Sequence, residues 1–599
     1  MTKADKRNIL LITLLAMGLR LAYVFLLRHN YFFVDHPSSD VLYYHEWAKE
    51  IAWGKGEGLK TFWGLPLYPH FLAVLERITL GHAPGLIRFT HFLLGSANCA
   101  LVYVLCAAIF SRTTALLAGI LAAANFTLIH FDWLMMPVPL LIFLSLIIVI
   151  SLIRSQEDAG ARDFLLIGFL IGLACLGDGK FLFFLGLICL RDVIRDRKDI
   201  PRIFFKRIIP VIAGAAIVLG GFTVRNRIVF GDWIFISAQS GLSFYVGNNP
   251  VASGIFENPD FIRPTHHGQD EDQQIVAQAV AEKTMGPAEI SSFWKKTAGA
   301  YIRENPAGWG RLLAQKFLLF FNDQERAHDI DLILQRDLRL RMDLNPYFLL
   351  CPMALLGMVL AWRSSRQNGV INLLLFSQLL VTIVFFLTTR HRATVLPYFL
   401  IYQAYFVLWV IGRWKNKKTT PVAISIAAIA VFVLLFPPKF VDQDSYRFLV
   451  HAKSGPIYAK KGDLPKARQN YFFALELRPS DTNTLYNLAN TYLQEEDYNR
   501  AEIFYLKALE TCHYNVDALF NLGVTYEKLN APNRAIQIFQ KALQYQPGSL
   551  DVHYRLGRLY LGLGQCDVAN RHFQFLLQRQ PALEPDIRPL MEQCPGPHL

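Results

Sequence analysis

The number of apolar stretches that must be buried constrains this chain most. Asn8–Leu27 runs apolar for about the length needed to span a bilayer. Ten further apolar runs follow, near 86–110, 113–131, 137–153, 163–176, 180–194, 208–222, 346–362, 370–388, 395–412 and 421–437. Eleven such runs predict an all-α, polytopic membrane bundle, because in hydrocarbon only a helix or a closed barrel satisfies its own backbone. Composition agrees. Only 18% of the residues are charged and 53% are hydrophobic, with 45 Phe, whereas a soluble domain carries about 25% charged residues. No small-residue cleavage site follows the first run, so it is read as an uncleaved membrane helix and not a signal peptide. The runs 163–176 and 180–194 are short and are separated by Gly177-Asp178-Gly179-Lys180. They predict either a tight hairpin or one broken helix.

The net charge of +13 raises the question of nucleic acid, and its distribution answers it. Basic residues concentrate in Met1–Arg7, Arg154/Arg162, Arg191–Arg207, Arg363/Arg366 and Arg413–Lys418. These are the inner loops if the amino terminus is cytoplasmic, as the positive-inside rule requires. The positive charge is therefore topological, and no nucleic-acid partner is expected. Residues 29–84, residues 226–344 and everything after Pro438 then fall outside. The expected organisation is a membrane domain over 1–437, a linker over 438–447, repeats over 448–583 and a tail over 584–599. The eight cysteines form no CxxC pair, which excludes the common zinc and redox motifs. Cys512 and Cys566 stand at unrelated repeat offsets, and together with Cys594 they cannot all pair, so no disulfide framework is expected.

From about Phe448 a 34-residue period sets in. Small residues recur at Gly455, Ala489, Gly523 and Gly557, and each is followed three positions later by Tyr458, Tyr492, Tyr526 or Tyr560. A second set is Ala467, Ala501, Ala535 and Ala569, with Tyr471, Tyr505, Phe539 and Phe573 four positions on. Pro479, Pro547 and Pro581 close three repeats, and His513 stands in the remaining one. This pattern resembles the tetratricopeptide repeat family. It implies an α-solenoid whose concave face holds a protein partner or acceptor; dimerisation or assembly docking is the plainer use of the same surface.

The loop over 29–84 is too polar to span. Ser38-Ser39-Asp40 opens an amphipathic helix, Val41-Leu42-Tyr43-Tyr44-His45-Glu46-Trp47-Ala48, suited to a membrane surface. Asp40 at its start reads either as a helix cap or as a general base. An Asp-then-Tyr loop ending in Pro66-Leu67-Tyr68-Pro69 resembles the membrane glycosyltransferases of the C-type fold. The nearest resemblance is to the protein O-mannosyltransferase and lipid A aminoarabinose transferase superfamily. Val224-Arg225-Asn226, Phe230-Gly231-Asp232, Gly247-Asn248-Asn249-Pro250, Phe320-Phe321-Asn322 with Glu325, and Arg390-His391-Arg392 with Leu396-Pro397 follow in family order. The joining of such a core to outer repeats is similar to the animal transmembrane-and-tetratricopeptide O-mannosyltransferases in architecture. The resemblance implies that Asp40 is the catalytic base. Two departures stand out: Val41 replaces a second acid common in relatives, and Gly177-Asp178-Gly179-Lys180 stands near where relatives carry Thr-Arg-Pro. Lys180 there supplies a cation.

The implied reaction moves a sugar from a polyprenyl phosphate to an acceptor hydroxyl on protein, lipid or glycan. One carboxylate suffices for an inverting displacement, and the departing phosphate needs charge stabilisation. Arg225, Arg390, Arg392 and Lys180 are the expected phosphate ligands, since guanidinium forks match phosphate oxygens; snorkelling to lipid headgroups is the alternative. Tyr43, Tyr44, Asp132, Asn248 and Glu325 are the remaining pocket candidates. Arg20 and Arg88 lie within apolar runs, where a charge is expected to be paired, with Asp132 or Asp178 as partner. His130 reads as an interfacial residue. His266-His267 and Asp270-Glu271-Asp272 read as a solvated patch more than as metal ligands. No cofactor is expected with certainty; some C-type relatives use a divalent metal, and no metal-binding residue is identified here. Two other classes fit the same plan: an inactive membrane-anchored scaffold for envelope assembly, and a polysaccharide ligase or polymerase using a diphosphate-linked donor. The expected location is the bacterial inner membrane, with catalytic loops and repeats on the extracytoplasmic side.

Overall fold

The computed structural model describes residues 2–27, 39–54, 64–81, 84–155, 159–195, 197–256, 259, 262, 266–322, 345–362, 367–436 and 443–593. The chain divides into two compact units, one of residues 1–257 with 285–442, the other of residues 258–284 with 443–599.

In the first unit, each of the eleven apolar runs coincides with a helix or a helix pair. The first nine helices are α1 (Lys3–Leu27), α2 (Ser39–Trp53), α3 (Leu67–Ile78), α4 (Pro84–Ile109), α5 (Arg112–Ala124), α6 (Phe126–Trp133), α7 (Val138–Arg154), α8 (Ala161–Gly177) and α9 (Lys180–Arg195). Among the described residues, Lys3–Leu26, Gly85–Ile109 and Ile200–Val229 are long and apolar enough to cross a membrane. The α5/α6 pair, bent by 51°, makes a fourth. Val138–Arg154, Tyr347–Ala361, Asn368–Val384 and Thr419–Leu435 are shorter apolar helices. The bend has a local cause: Asn125 leaves helical geometry and its side chain accepts from Leu128 N–H at 3.1 Å, starting a new helix.

Two close contacts set the packing. A Cβ on Gly168 would lie 2.0 Å from the carbonyl oxygen of Val211, and one on Gly214 would lie 2.1 Å from that of Leu165. Helix α8 and the Ile200–Val229 helix therefore meet backbone to backbone, as small residues permit in a membrane bundle. Arg20 of α1 is fully buried and ion-pairs with Asp132 of α6 at 2.5 Å, which removes the cost of a lone charge in hydrocarbon. Asp132 thus lies in a helix and not in a loop, with its carboxylate committed to Arg20. His130 is also fully buried, its Nδ1 2.7 Å from the Tyr23 hydroxyl, so it is an interior residue and not an interfacial one.

In the second unit the helices pair as the 34-residue period requires, from Gln443–Lys460 and Leu464–Leu477 through Leu550–Gly562 and Cys566–Arg579. Asp463, Asp481, Asp497 and Asn515 each cap the helix that follows by accepting a backbone N–H. The recurring small residues sit against the recurring aromatics. A Cβ on Gly523 would fall 2.4 Å from the Phe539 ring, and one on Gly557 2.5 Å from that of Phe573. Tyr471, Tyr505, Phe539 and Phe573 are all buried in a single apolar core.

The cysteines depart from expectation at one position. Cys566 is disulfide-bonded, whereas Cys99, Cys106, Cys175, Cys189, Cys351 and Cys512 are free. The acidic stretch of the long loop also differs. It forms the helix His266–Ala281, and Asp272 is buried where a solvated patch was expected.

Candidate active site

The first turn of α2 carries Asp40, where the positive end of the helix dipole favours a carboxylate. Its side chain is only 8% exposed, and Oδ2 lies 3.4 Å from Nη1 of Arg390. The two residues are 350 positions apart in sequence. Arg390 stands in the short helix Thr389–Ala393, which enters the Leu396–Lys415 helix. Tyr43 and Tyr44 follow Asp40 and build an aromatic wall with Trp47 and Tyr68, with ring centroids 5.3–5.7 Å apart. Buried Tyr68 is fixed in turn by the ring of His91, whose Nε2 is 3.1 Å from its hydroxyl. Further along α2, His45 Nδ1 meets the buried Glu76 carboxylate at 3.2 Å. Burial holds His45 below its ordinary range, with Lys49 adding to the effect and Glu76 opposing it.

A second set of charges stands beside Arg390. Lys180, buried at the start of α9, is 3.0 Å from Asp178 Oδ2, and Asp178 Oδ1 also accepts from the Lys180 N–H. The two-residue connection Asp178-Gly179 thus joins two separate helices and aims an ion pair at the site. Lys180 and Arg390 repel one another. His391 feels both cations; burial, reinforced by the Lys180 and Arg390 charges, keeps its pKa well below the imidazole range, so it is neutral at physiological pH. Thr388 Oγ1, Thr389 Oγ1 and His391 Nδ1 are buried and have no hydrogen-bond partner among the described residues. Orphaned polar atoms grouped in this way mark a place where a polar ligand completes the hydrogen bonding.

The remaining expected residues are distributed around this centre. Arg392 is buried, donates to the Asn322 carbonyl and stacks over the Tyr347 ring at 5.1 Å. Arg225 is half-buried near His70, whose pKa is lowered first by burial and then by the Arg225 charge, against a hydrogen bond to Pro66 O. Asn248 is buried and accepts from Trp309 Nε1 at 2.9 Å and from Lys316 Nζ at 3.2 Å, which makes it a structural node in place of a pocket group. Asp132 is taken by Arg20. Arg88 lies over the Trp133 ring at 4.3 Å. Glu325 lies outside the described residues.

Sequence reasoning offered Asp178 only as a partner for Arg20 or Arg88, whereas it pairs with Lys180; it missed the Thr388-Thr389 hydroxyls and Lys316. Lys316 is fully buried in the helix Pro306–Phe321, and its Nζ also donates to the Phe385 carbonyl at 2.6 Å. Its only sequence signal is a lone cation ahead of Phe317-Leu318-Leu319-Phe320-Phe321.

In the same unit an apolar cavity of about 620 Å³ opens along Phe320, Phe321, Leu355, Val395 and Phe399 and reaches Arg191. One wall of it adjoins Asn322, the residue that accepts from Arg392. Among the described residues no group of three or more His, Cys, Asp or Glu side chains is placed to hold a metal ion. The charge facing Asp40 is the guanidinium of Arg390, and no step below runs through a metal. The arrangement offers a carboxylate able to take a proton, two cations able to receive an anion, and an apolar cavity nearby.

Comparison with known proteins gives two kinds of match. Residues 65–222 match the family of dolichyl-phosphate-mannose-protein mannosyltransferases. Residues 455–496, 480–547 and 515–594 match tetratricopeptide repeat families. The chain therefore joins a mannosyltransferase-like glycosyltransferase domain to carboxyl-terminal tetratricopeptide repeats. No curated protein matches. Solved structures similar to parts of the chain include YrrB, described as a tetratricopeptide protein with an unusual peptide-binding site (24% identity, 24% of this chain and 72% of that one, TM-score 0.23). A MamA protein matches at 21% identity over 25% of this chain and 87% of its own, TM-score 0.23. PilF of Pseudomonas aeruginosa matches at 16% identity over 31% and 83%, TM-score 0.22.

Proposed function

We propose that the chain is an inverting glycosyltransferase that moves a sugar from a polyprenyl-phosphate donor to an acceptor hydroxyl at the extracytoplasmic face of a bacterial inner membrane, with the repeats binding the acceptor or a partner protein. The carrying observation is the buried Asp40 carboxylate 3.4 Å from Arg390, beside Lys180 and the Thr388-Thr389 hydroxyls, which have no hydrogen-bond partner among the described residues.

In this mechanism Asp40 accepts the acceptor's proton as its oxygen attacks the anomeric carbon. The bond from that carbon to the donor phosphate breaks on the opposite side. Arg390 and Lys180 take up the charge of the departing phosphate, and Arg225 is a further cation for it. Neutral His391 and the two threonine hydroxyls donate or accept hydrogen bonds at sugar or phosphate oxygens. The apolar cavity suits an isoprenoid chain. The disulfide at Cys566 supports an outer location for the repeats, because such bonds persist in oxidising compartments.

The test is complementation of a deletion strain with Asp40→Asn, read by glycan mass spectrometry of envelope proteins and lipids. Transfer should fall by at least about 100-fold while the protein stays inserted, the usual contribution of a general base. Normal glycans with Asp40→Asn would remove Asp40 from the reaction and favour the scaffold reading.

A further inference from the structure

Only Phe385-Phe386-Leu387 separates the end of the helix Asn368–Val384 from Thr388 and the short helix Thr389–Ala393, which carries Arg390. Where the first helix ends therefore sets where the Arg390 guanidinium stands. The last carbonyls of a helix lack intrahelical donors, and here two side chains from elsewhere in the chain meet them. Asn248 Nδ2 donates to the Val384 carbonyl at 2.9 Å, and Lys316 Nζ donates to the Phe385 carbonyl at 2.6 Å. The two donors brace each other. Lys316 Nζ also donates to Asn248 Oδ1 at 3.2 Å, and Trp309 Nε1 donates to the same oxygen at 2.9 Å. The fit is closed, since a Cβ on Gly247 would lie 2.0 Å from the Phe385 carbonyl oxygen. Leu387 is held as well: its N–H donates to the Gly254 carbonyl at 3.1 Å and its carbonyl accepts from the Phe256 N–H at 3.3 Å. A Cβ on Gly254 would in turn lie 3.1 Å from Lys316 Cγ, so the lysine stem packs against the segment that pairs with Leu387.

A lysine only 1% exposed is a costly way to fill space, and a Met of similar length would avoid the cost. Its two polar partners are a carbonyl and an amide oxygen, and a positive charge at the carboxyl end of a helix is favoured by the helix dipole. We infer that Lys316 is a positioning residue for the Asp40–Arg390 site: by holding the end of the helix Asn368–Val384 it fixes Arg390, and through Arg390 the grip on the phosphate of a lipid-borne donor. The inference rests on the proposed reading of Arg390 as a phosphate ligand, and adds a residue that acts through Arg390 and not on the substrate.

The test uses the full chain in detergent with undecaprenyl phosphate, a sugar-free lipid, as the probe, and reads its Kd by microscale thermophoresis. Arg390→Ala should weaken binding by about tenfold, the scale of one hydrogen bond to a charged group. Lys316→Met should weaken it by a similar factor. Added to Arg390→Ala, it should cost no more than a further factor of about two, because residues that act as one unit are non-additive; a general loosening of the fold would weaken binding equally in both backgrounds. Lys316→Gln, which keeps an N–H donor without the charge, is measured in the same two backgrounds and decides the matter if thermal melts show that Lys316→Met does not fold. Unchanged binding in the Lys316 variants, or the same loss with and without Arg390, would overturn the inference alone. Normal binding by Arg390→Ala would overturn the reading of Arg390 and this inference with it.

Discussion

Removing Arg390 tests two proposed roles at once, as partner of Asp40 and as phosphate ligand. Arg390→Ala should lower kcat/KM by about 100- to 1,000-fold, the scale for losing one preorganised charge donor, whereas Arg390→Lys should recover part of that because it keeps the charge and loses the fork. Single-turnover transfer from a lipid-linked donor measures both. Arg20 gives a stability test. Arg20→Ala leaves the buried Asp132 uncompensated and should cost about 3–5 kcal/mol, while an apolar replacement of both partners should recover most of it; thermal melts of the four members of that cycle decide. Lys316 gives a pH test. Burial lowers its pKa from 10.5 to about 7, so between those values the unfolded chain binds the extra proton and stability rises with pH. In Lys316→Met that rise should be absent from melts between pH 7 and 10. None of these pairings was legible beyond a hint. Arg20 was expected to be paired because charge in hydrocarbon is costly, but Asp40 and Arg390 are 350 residues apart and only the family resemblance linked them.

Among the elements, the repeats were the most legible, because their period is local and each helix meets its neighbour in sequence. Gly523 lies against Phe539, and Ala489 fills the equivalent place one repeat earlier. A methyl at Gly523 would lie 2.4 Å from the buried Phe539 ring, so Gly523→Ala should already overpack the pair and cost about 1–3 kcal/mol, with Gly523→Leu costing more, both read as a lowered melting temperature of the full chain. The bend at Asn125 and the contact of Ile275 with the repeat core were not legible. The first turns on a single cap inside an apolar run, and the second pairs a loop with repeats nearly two hundred residues away. The apolar runs foretold where helices form. They also foretold that several helices fall short of a full crossing, since runs such as 163–176, 180–194 and 421–437 are themselves short; the run 113–131 is the one split in two, at Asn125.

At the scale of the whole molecule, the proposed orientation puts the carboxyl terminus outside. A periplasm-active phosphatase reporter fused after Leu599 should be active, and Cys566 should resist alkylation until a reductant is added; an inactive reporter with a freely alkylated Cys566 would place the repeats in the cytoplasm. The basic loops are what suggest this orientation, whereas the buried cluster around Lys180 was not legible, because its members are assembled from three separate stretches of chain. The resting Asp40–Arg390 contact carries one more consequence. A carboxylate latched to a guanidinium is a poor proton acceptor, and an incoming phosphate competes for the same cation. On the proposed mechanism the lipid-borne substrate unlocks the base on arrival, so addition is ordered, with the hydroxyl compound second, and water cannot be activated while the enzyme waits.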